Sequence, residues 1–238
     1  VSDYDCVDIS SAAGQNISAL LEFAFSNIEN DGKCLIISGG EESAIPAPAD
    51  YDLVIAADKG LQYALLSGVR PDIVIGDFDS FTGDLESSLK ESDAIRLPVR
   101  KNDSDAQSAV KYALEQGYKD ITFCCIMGGR LDHMISNIQT ASYAARKGAV
   151  CTLKGDRDEV YVFSGKKLSF PRREGWSISV LSLSDRCEGI NISGALYTVS
   201  DFTMTNDLTR GLSNEWASDC IEVSVKTGIL AVILSKLR

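Results

Sequence analysis

The chain has 238 residues, of which 45% are hydrophobic and 24% are charged. This composition is typical of a globular protein with enough apolar side chains for a core, and it excludes an intrinsically disordered chain. The 23 basic and 34 acidic residues give a formal net charge of -11, which disfavours nonspecific binding to nucleic acid or to an anionic membrane. The length fits one large domain or two smaller ones.

The cysteines and the hydropathy pattern indicate the compartment. The seven cysteines are odd in number, show no C-x-x-C spacing and include the adjacent pair Cys124 and Cys125. This pattern is unlike a zinc knuckle or a secreted disulfide framework. No segment approaches the ~20 consecutive apolar residues of a membrane span, and the N-terminus lacks the basic start of a signal peptide. We therefore expect a soluble cytoplasmic protein with reduced thiols.

The first 150 residues predict one leading helix and then alternating strands and helices. Apolar residues at helical spacing between 17 and 28 indicate an amphipathic helix. Short apolar runs then predict strands at residues 34–38, 52–56, 72–75, 94–97, 121–126 and 149–153. Helices are expected between them, over residues 61–68, 79–91, 105–116 and 132–147. Such alternation predicts a parallel sheet with helices on both faces.

The helix that starts at residue 105 has the clearest boundaries. Ser104 and Gln107 have the spacing of a capping box, and Gly117 is a C-terminal stop signal. Ala109, Val110 and Ala113 belong to its apolar face. The Ser104 cap places the free amides of the first helical turn at the end of the preceding loop.

The sequence changes character after about residue 150. Strand-like segments follow at residues 159–163, 166–170, 176–183, 189–193, 221–225 and 229–234, separated by turn residues. The predicted fold class is therefore α/β plus all-β, with a doubly wound, mostly parallel sheet followed by a β-sandwich. We divide the chain into a helical extension (1–32), an α/β domain (33–150) and a β-sandwich domain (151–238).

Polar motifs follow five of the predicted strands. They are SGGEES (38–43), ADKG (57–60), GDFDS (76–80), RKNDSD (100–105) and GGRLDH (128–133). In doubly wound sheets, ligands bind in the crevice outside the carboxyl ends of the strands. The five motifs are therefore expected to converge on one cleft.

The pair Asp77 and Asp79 indicates a cation site. Two residues along a strand span about 6.6 Å, and two carboxylates at that distance repel by about 2.5 kcal/mol at an effective dielectric constant near 20. Bound Mg²⁺ would remove this repulsion, and it prefers a few carboxylates with water and phosphate oxygens. Asp103 and Asp105 repeat the pattern. The alternative interpretation is that these aspartates are turn, cap and first-turn residues of helices.

Further candidates carry weaker signals. Lys101 could contact phosphate or belong to a solvated loop, and Arg130 offers a guanidinium group after two glycines. Asp58 could be the N-cap of the following helix. His133 is the only histidine, which excludes a histidine-cluster metal site and a serine protease triad. The sequence contains neither the P-loop motif nor the dinucleotide-binding fingerprint.

Taken in order, ADKG, GDFDS, KNDSD, GGRLDH and the later GLSNEW (211–216) resemble the motifs of the thiamin pyrophosphokinase family. The resemblance extends from about residue 34 to the C-terminus. It implies an α/β domain, a C-terminal β-sandwich and a homodimer. It also implies transfer of a pyrophosphoryl group from ATP to the hydroxyl of thiamin, which gives thiamin diphosphate and AMP. Ser104 stands where threonine is usual, and the leading 32 residues are longer than in many relatives.

The resemblance implies a role for each matching residue. The acidic cluster for Mg²⁺ and the triphosphate of ATP would consist of Asp58, Asp77, Asp79, Asp103 and Asp105, with Asp77, Asp79 and Asp105 as metal ligands. One of its carboxylates, Asp77 or Asp79, would accept the hydroxyl proton. Asp58 would also contact ATP, together with Lys101, Arg130, Asp132 and His133. Thiamin would meet Ser213 and Asn214, with Trp216 as a stacking surface, at the dimer interface.

Two other interpretations of the acidic motifs stay open at this point. A Mg²⁺-dependent D-x-D nucleotidyl- or glycosyltransferase would also hold a metal-nucleotide on carboxylates, but it would leave GLSNEW and the β-sandwich without a role. A non-enzymatic, acidic metal-binding interaction protein would not require five motifs at the strand ends of one sheet.

Overall fold

A computed structural model describes residues 30–76, 95–97 and 103–237. The predicted helices over residues 17–28 and 79–91 lie outside these ranges. The first six strands are β1 (Asn30–Ile37), β2 (Leu53–Ala57), β3 (Ile73–Ile75), β4 (Ile95–Leu97), β5 (Tyr118–Cys124) and β6 (Val150–Lys154). The helices are α1 (Gly60–Leu66), α2 (Asp105–Glu115) and α3 (Leu131–Arg146), with a short 3-10 helix at Pro48–Asp50.

The first six strands form a parallel sheet in the order β4-β3-β2-β1-β5-β6. Side chains alternate between its two faces because successive strand residues point in opposite directions. On β1, Cys34 and Ile36 pack with α2 and α3, whereas Leu35 and Ile37 pack with α1. The strands are therefore apolar on both sides, as parallel strands between helices are. The predicted doubly wound sheet is confirmed.

The C-terminal part consists of strands, as predicted. They are β7 (Asp158–Phe163), β8 (Lys167–Pro171), β9 (Trp176–Ser182), β10 (Arg186–Ser193), β11 (Val199–Thr205), β12 (Cys220–Ser224) and β13 (Leu230–Lys236). Three of them extend the first sheet, which has nine strands in the order β4-β3-β2-β1-β5-β6-β7-β13-β9. The others form a four-stranded antiparallel sheet in the order β11-β10-β12-β8.

The β-sandwich consists of the four-stranded sheet and the β7-β13-β9 end of the long sheet. Its core joins side chains of both layers, among them Phe163, Phe170, Ile178, Ile221 and Val232. One continuous sheet thus links the α/β part to the sandwich, through the antiparallel pairing of β6 with β7. The boundary that we drew between residues 150 and 151 stays a prediction.

None of the described helices combines the length and the apolar character that crossing a bilayer would require.

Candidate active site

The strand order of the parallel sheet reverses between β1 and β5. Successive strands from β1 to β4 are added on one side of β1, and β5 and β6 are added on the other. The segments that follow β1 and β5 stay close to each other: Ser38 N donates to Cys124 O at 3.0 Å, and Gly40 N donates to Cys125 O at 2.7 Å. Such a switch point is where open α/β sheets bind ligands.

A cavity of about 580 Å³ opens at this switch point. Its walls come from the loop after β1, the end of β2, the start of α2, the loop after β5 and the first two turns of α3. Among the described residues, the ionisable side chains that line it are Glu41, Asp58, Asp105, Arg130, Asp132 and His133. Four of these side chains are carboxylates and one is a guanidinium group, so an anionic ligand in this cavity needs a cation with it.

Helix α2 begins at the wall of the cavity. Ser104 Oγ accepts a hydrogen bond from Gln107 N at 3.2 Å, which confirms the predicted N-cap. Gln107 does not complete the expected capping box, since its side-chain oxygen accepts a hydrogen bond from Thr140 Oγ1 at 3.2 Å. The cap positions Asp105 in the first turn of α2, beside the cavity.

Helix α3 also begins at the cavity, directly after the GGR segment. Arg130 and Asp132 form a two-point ion pair, with distances of 3.1 Å from Nε to Oδ1 and 2.6 Å from Nη2 to Oδ2. The hydrogen bond from Arg130 lowers the pKa of Asp132, which therefore stays a carboxylate. Both side chains are exposed, and His133 follows them on the same helix turn.

Asp58 directly follows β2 and lines the cavity. Its backbone has a left-handed φ of 50°, and its N-H donates to Ile75 O at 2.9 Å. This bond holds the end of β2 next to the end of β3, where the chain continues into the segment that contains Asp77 and Asp79. Asp77, Asp79 and Lys101 lie outside the described residues.

Asp103 does not line the cavity. Lys111 Nζ approaches both of its carboxylate oxygens, at 2.8 Å and 2.7 Å, and the two side chains are 17% and 25% exposed. The structure therefore separates Asp103 from Asp105 although only one residue lies between them. In the described ranges, no group of three or more histidine, cysteine or carboxylate side chains is placed to hold a metal ion.

The three residues expected to meet thiamin lie on the sandwich. Ser213 is exposed, with a left-handed φ of 55°, and its N-H donates to Ser179 Oγ at 3.0 Å. Asn214 is buried, and its side chain bonds both backbone groups of Tyr197, at 3.0 Å to N and 2.7 Å to O. It therefore ties the 213–216 segment to the loop before β11.

Trp216, which we expected to be a stacking surface for thiamin, lies mostly inside the sandwich. It is only 9% exposed, it packs in the sandwich core, and its Nε1 donates to Phe170 O at 2.9 Å. The polar edge of the indole is thus already paired, which is how buried tryptophan is usually accommodated. Within one chain the ring is covered by core residues.

Three polar residues that line the cavity carried no prediction from the sequence. Ser136 and Asn137 follow His133 at positions i+3 and i+4 of α3, so helical spacing alone would have placed them on the same face. Asn137 Nδ2 donates to Ile126 O at 3.0 Å and thereby holds the loop after β5. Glu41 belongs to SGGEES, a motif whose position had been noted without assigning its carboxylate.

Two family models match the chain. The model described as thiamin pyrophosphokinase, catalytic domain, matches residues 48–153. The model described as thiamin pyrophosphokinase, vitamin B1 binding domain, matches residues 166–230. Thiamine pyrophosphokinase of Bacillus subtilis (strain 168) is 29% identical over 208 residues, which cover 84% of this chain and 97% of that protein.

Solved structures extend this likeness to the fold. The crystal structure of thiamine pyrophosphokinase from Bacillus subtilis has a TM-score of 0.76 at 26% identity, covering 87% of this chain and 99% of that chain. Thiamin pyrophosphokinase from Candida albicans has a TM-score of 0.69 and covers 90% of this chain and 91% of that chain; its 14% identity makes it evidence for the fold alone. From the two family models, the bacterial relative and the shared architecture together, we conclude that the chain belongs to the thiamin pyrophosphokinase family.

Proposed function

We propose that this chain transfers the pyrophosphoryl group of ATP to the hydroxyl of thiamin, giving thiamin diphosphate and AMP. The proposal rests mainly on the cavity at the switch point between β1 and β5. Residues in the first turns of both α2 and α3 line this cavity. Free amides and the positive end of the helix dipole make a helix N-terminus favourable for phosphate. The volume of about 580 Å³ is within the range of small-molecule sites.

The nucleotide would be held mainly by the two helix starts. Arg130 offers its guanidinium group to a phosphate or to the nucleotide, while Asp132 keeps that side chain oriented. His133 and Asp58 line the same cavity. Lys101 lies three residues before the N-cap of α2, Ser104, and is proposed as a further phosphate contact. Transfer of a pyrophosphoryl group needs this kind of positioning more than covalent chemistry.

Mg²⁺ is the proposed cofactor, and the donor set of the cavity fits it. The carboxylates there are hard oxygen ligands, and Mg²⁺ usually takes only one or two of them together with water and substrate phosphates. Asp105 is proposed as one ligand, with Asp77 and Asp79 from the segment after Gly76. The bound ion would neutralise charge on the phosphates. Asp77 or Asp79 would accept the proton of the thiamin hydroxyl.

Thiamin and a second copy of the chain are proposed to meet at exposed apolar side chains. Leu131 and Ile135 lie one turn apart on α3 beside the cavity and are 71% and 49% exposed. Leu196, Tyr197 and Leu212 lie beside the 213–216 segment on the sandwich and are 58%, 70% and 52% exposed. A homodimer in which the sandwich of one copy faces the cavity of the other would bury both sets.

Sedimentation at micromolar protein concentration tests this arrangement. The mass of two chains is expected, and the mass of a single chain would argue against it.

In such a dimer, Ser213 would contact thiamin directly. Asn214 and Trp216 would act by fixing the segment that presents it, because their side chains are engaged with Tyr197 and Phe170. This proposal keeps all three residues in the thiamin site, with a contact role for the exposed one and supporting roles for the buried ones.

We propose the cytoplasm as the location. The six cysteines in the described ranges are all free thiols, and five of them are buried. Reduced thiols persist in a reducing compartment. Neither nucleic acid nor a membrane is proposed as a partner, since the formal net charge is -11.

Comparing substitutions of Asp105 and Asp103 tests whether the reaction occurs in the cavity. Asp105→Asn should lower kcat by at least about a hundredfold, because it removes a carboxylate from the cavity wall. Asp103→Asn should lower it by less than about tenfold, because that side chain is paired with Lys111 outside the cavity. Formation of AMP from ATP, Mg²⁺ and thiamin is the measurement. Equal losses in both variants, or a larger loss for Asp103→Asn, would contradict the proposed site.

A further inference from the structure

Three backbone hydrogen bonds join the loops after β1 and β5 at the floor of the cavity. Besides the bonds of Ser38 and Gly40 given above, Glu41 N donates to Met127 O at 3.3 Å. These bonds continue the pairing of the two strands beyond their assigned ends. The backbone of Glu41 is thereby held beside the GGR segment, although 88 positions separate Glu41 from Gly129 in the chain.

The carboxylate of Glu41 contacts both glycines of that segment. Its Oε1 accepts a hydrogen bond from Gly129 N at 2.8 Å. Its other oxygen lies over Gly128, where an added Cβ would come within 2.2 Å of Oε2. Gly128 and Gly129 have φ values of 80° and 70°, so the loop takes a conformation that residues other than glycine rarely adopt. The loop and the carboxylate therefore fit each other closely.

The Glu41 carboxylate holds this position although other carboxylates in the cavity repel it. Glu41 shares the cavity with three other carboxylates, and the cavity's guanidinium group, on Arg130, is already paired with Asp132. The bond to the Gly129 amide is charge-assisted and is therefore stronger than one between neutral groups. It also occupies the Gly129 N-H, so this amide is not available to a bound phosphate.

We infer that Glu41 is a positioning residue for the nucleotide site: its carboxylate fixes the Gly128–Arg130 segment and, through it, the guanidinium group of Arg130. The inference rests on the proposed function for its kinetic consequence. The loop geometry itself is independent of which substrate binds.

The kinetic test uses three variants. Glu41→Ala removes the acceptor and should raise the KM for ATP roughly tenfold, with a smaller change in kcat and in the KM for thiamin. Glu41→Gln keeps an oxygen acceptor at the same position and should retain an ATP KM within roughly threefold of the wild type. Glu42→Ala makes the same charge change one residue away, outside the cavity lining, and serves as the control.

A second readout does not depend on activity. Amide hydrogen exchange at Gly129 should become faster in Glu41→Ala and stay close to wild type in Glu41→Gln and in Glu42→Ala, because only the first loses the acceptor. If no variant and no wild-type protein makes AMP, the proposed function fails, and the exchange data still decide the role of Glu41.

Several results would overturn the inference. An unchanged ATP KM together with unchanged Gly129 exchange in Glu41→Ala would show that the carboxylate does not fix the loop. A lower ATP KM in that variant would mean that the carboxylate competes with phosphate for the amide. Equal impairment of Glu41→Gln and Glu41→Ala would assign the effect to charge instead of to the hydrogen bond.

Discussion

Glu159 on β7 is a half-buried carboxylate that two neighbours hold in its charged form. Arg173 Nη1 lies 2.9 Å from Oε1, and Tyr161 OH donates to Oε2 at 2.5 Å. Burial alone would raise the pKa of Glu159, but these hydrogen bonds outweigh it and hold the pKa below its ordinary value of 4.5. At a pH above 4.5, the charged carboxylate of Glu159 therefore stabilises the fold. This stabilisation is lost as the pH falls through the lowered pKa of Glu159.

Removing the arginine should make this pH dependence visible. At pH 7, Arg173→Met should reduce the free energy of unfolding by about 1 kcal/mol, since the pair is partly exposed. The difference from wild type should shrink as the pH falls below 4.5, the ordinary pKa of glutamate, and through the lowered pKa, because Glu159 becomes protonated in both proteins. Urea unfolding at several pH values measures it, with Arg172→Met as the exposed neighbouring control. A difference that does not change with pH would mean that Arg173 acts through packing alone.

For single residues, local roles such as helix caps could be predicted from the sequence, whereas pairing and burial in the folded structure could not. The cap at Ser104 is a local feature, and the structure confirms it. Asp103 and Asp105 were both assigned to one acidic cluster, but Lys111, which lies two turns along α2, pairs with Asp103 outside the cavity. Trp216 looked like a surface residue in a polar motif, yet the fold covers it. Pairing and burial of this kind depend on contacts that the local sequence does not contain.

At the scale of elements, α1 is packed so closely on β1 that its first residue has no room for a side chain. A Cβ on Gly60 would lie 2.0 Å from Ile37 O and 2.6 Å from Ile37 C. Both atoms belong to the backbone of a central strand, so the helix would have to move. Asp58 precedes Gly60 by two residues, so this packing also determines where that carboxylate meets the cavity.

Gly60→Ala should therefore destabilise the protein by about 2 kcal/mol or more, as overpacking against a fixed backbone does. Leu66→Ala is the matched control on the same helix: its side chain is 72% exposed, and it should change the free energy of unfolding by less than about 0.5 kcal/mol. Denaturant unfolding compares the two. A Gly60→Ala variant as stable as the control would show that α1 is less tightly held than the structure indicates.

Elements with strong local patterns were predicted, and one polar edge strand was not. All six strands of the parallel sheet were expected from their short apolar runs. Strand β11 was missed: it lies at the edge of the four-stranded sheet, and Ser200, Asp201 and Thr203 are exposed. A half-exposed edge strand with polar residues resembles a loop in sequence.

At the scale of the whole molecule, the fold class was predictable and the joining of its parts was not. Alternating strands and helices followed by strands alone indicated an α/β part and a sandwich. That β7, β13 and β9 would extend the parallel sheet depends on the hydrogen-bonding edge of β6, which no sequence pattern specifies. The consequence is functional, because one sheet connects the cavity at β1 and β5 to the sandwich that carries Ser213.

In the proposed reaction, this molecule moves a pyrophosphoryl group as a single unit from ATP to thiamin. Incubating the purified chain with ATP, Mg²⁺ and thiamin, and quantifying every phosphorylated product against a control without thiamin, tests it directly. We expect AMP and thiamin diphosphate in a one-to-one ratio, dependent on thiamin. Release of ADP would indicate stepwise phosphoryl transfer, release of pyrophosphate would indicate nucleotidyl transfer, and either result would contradict it.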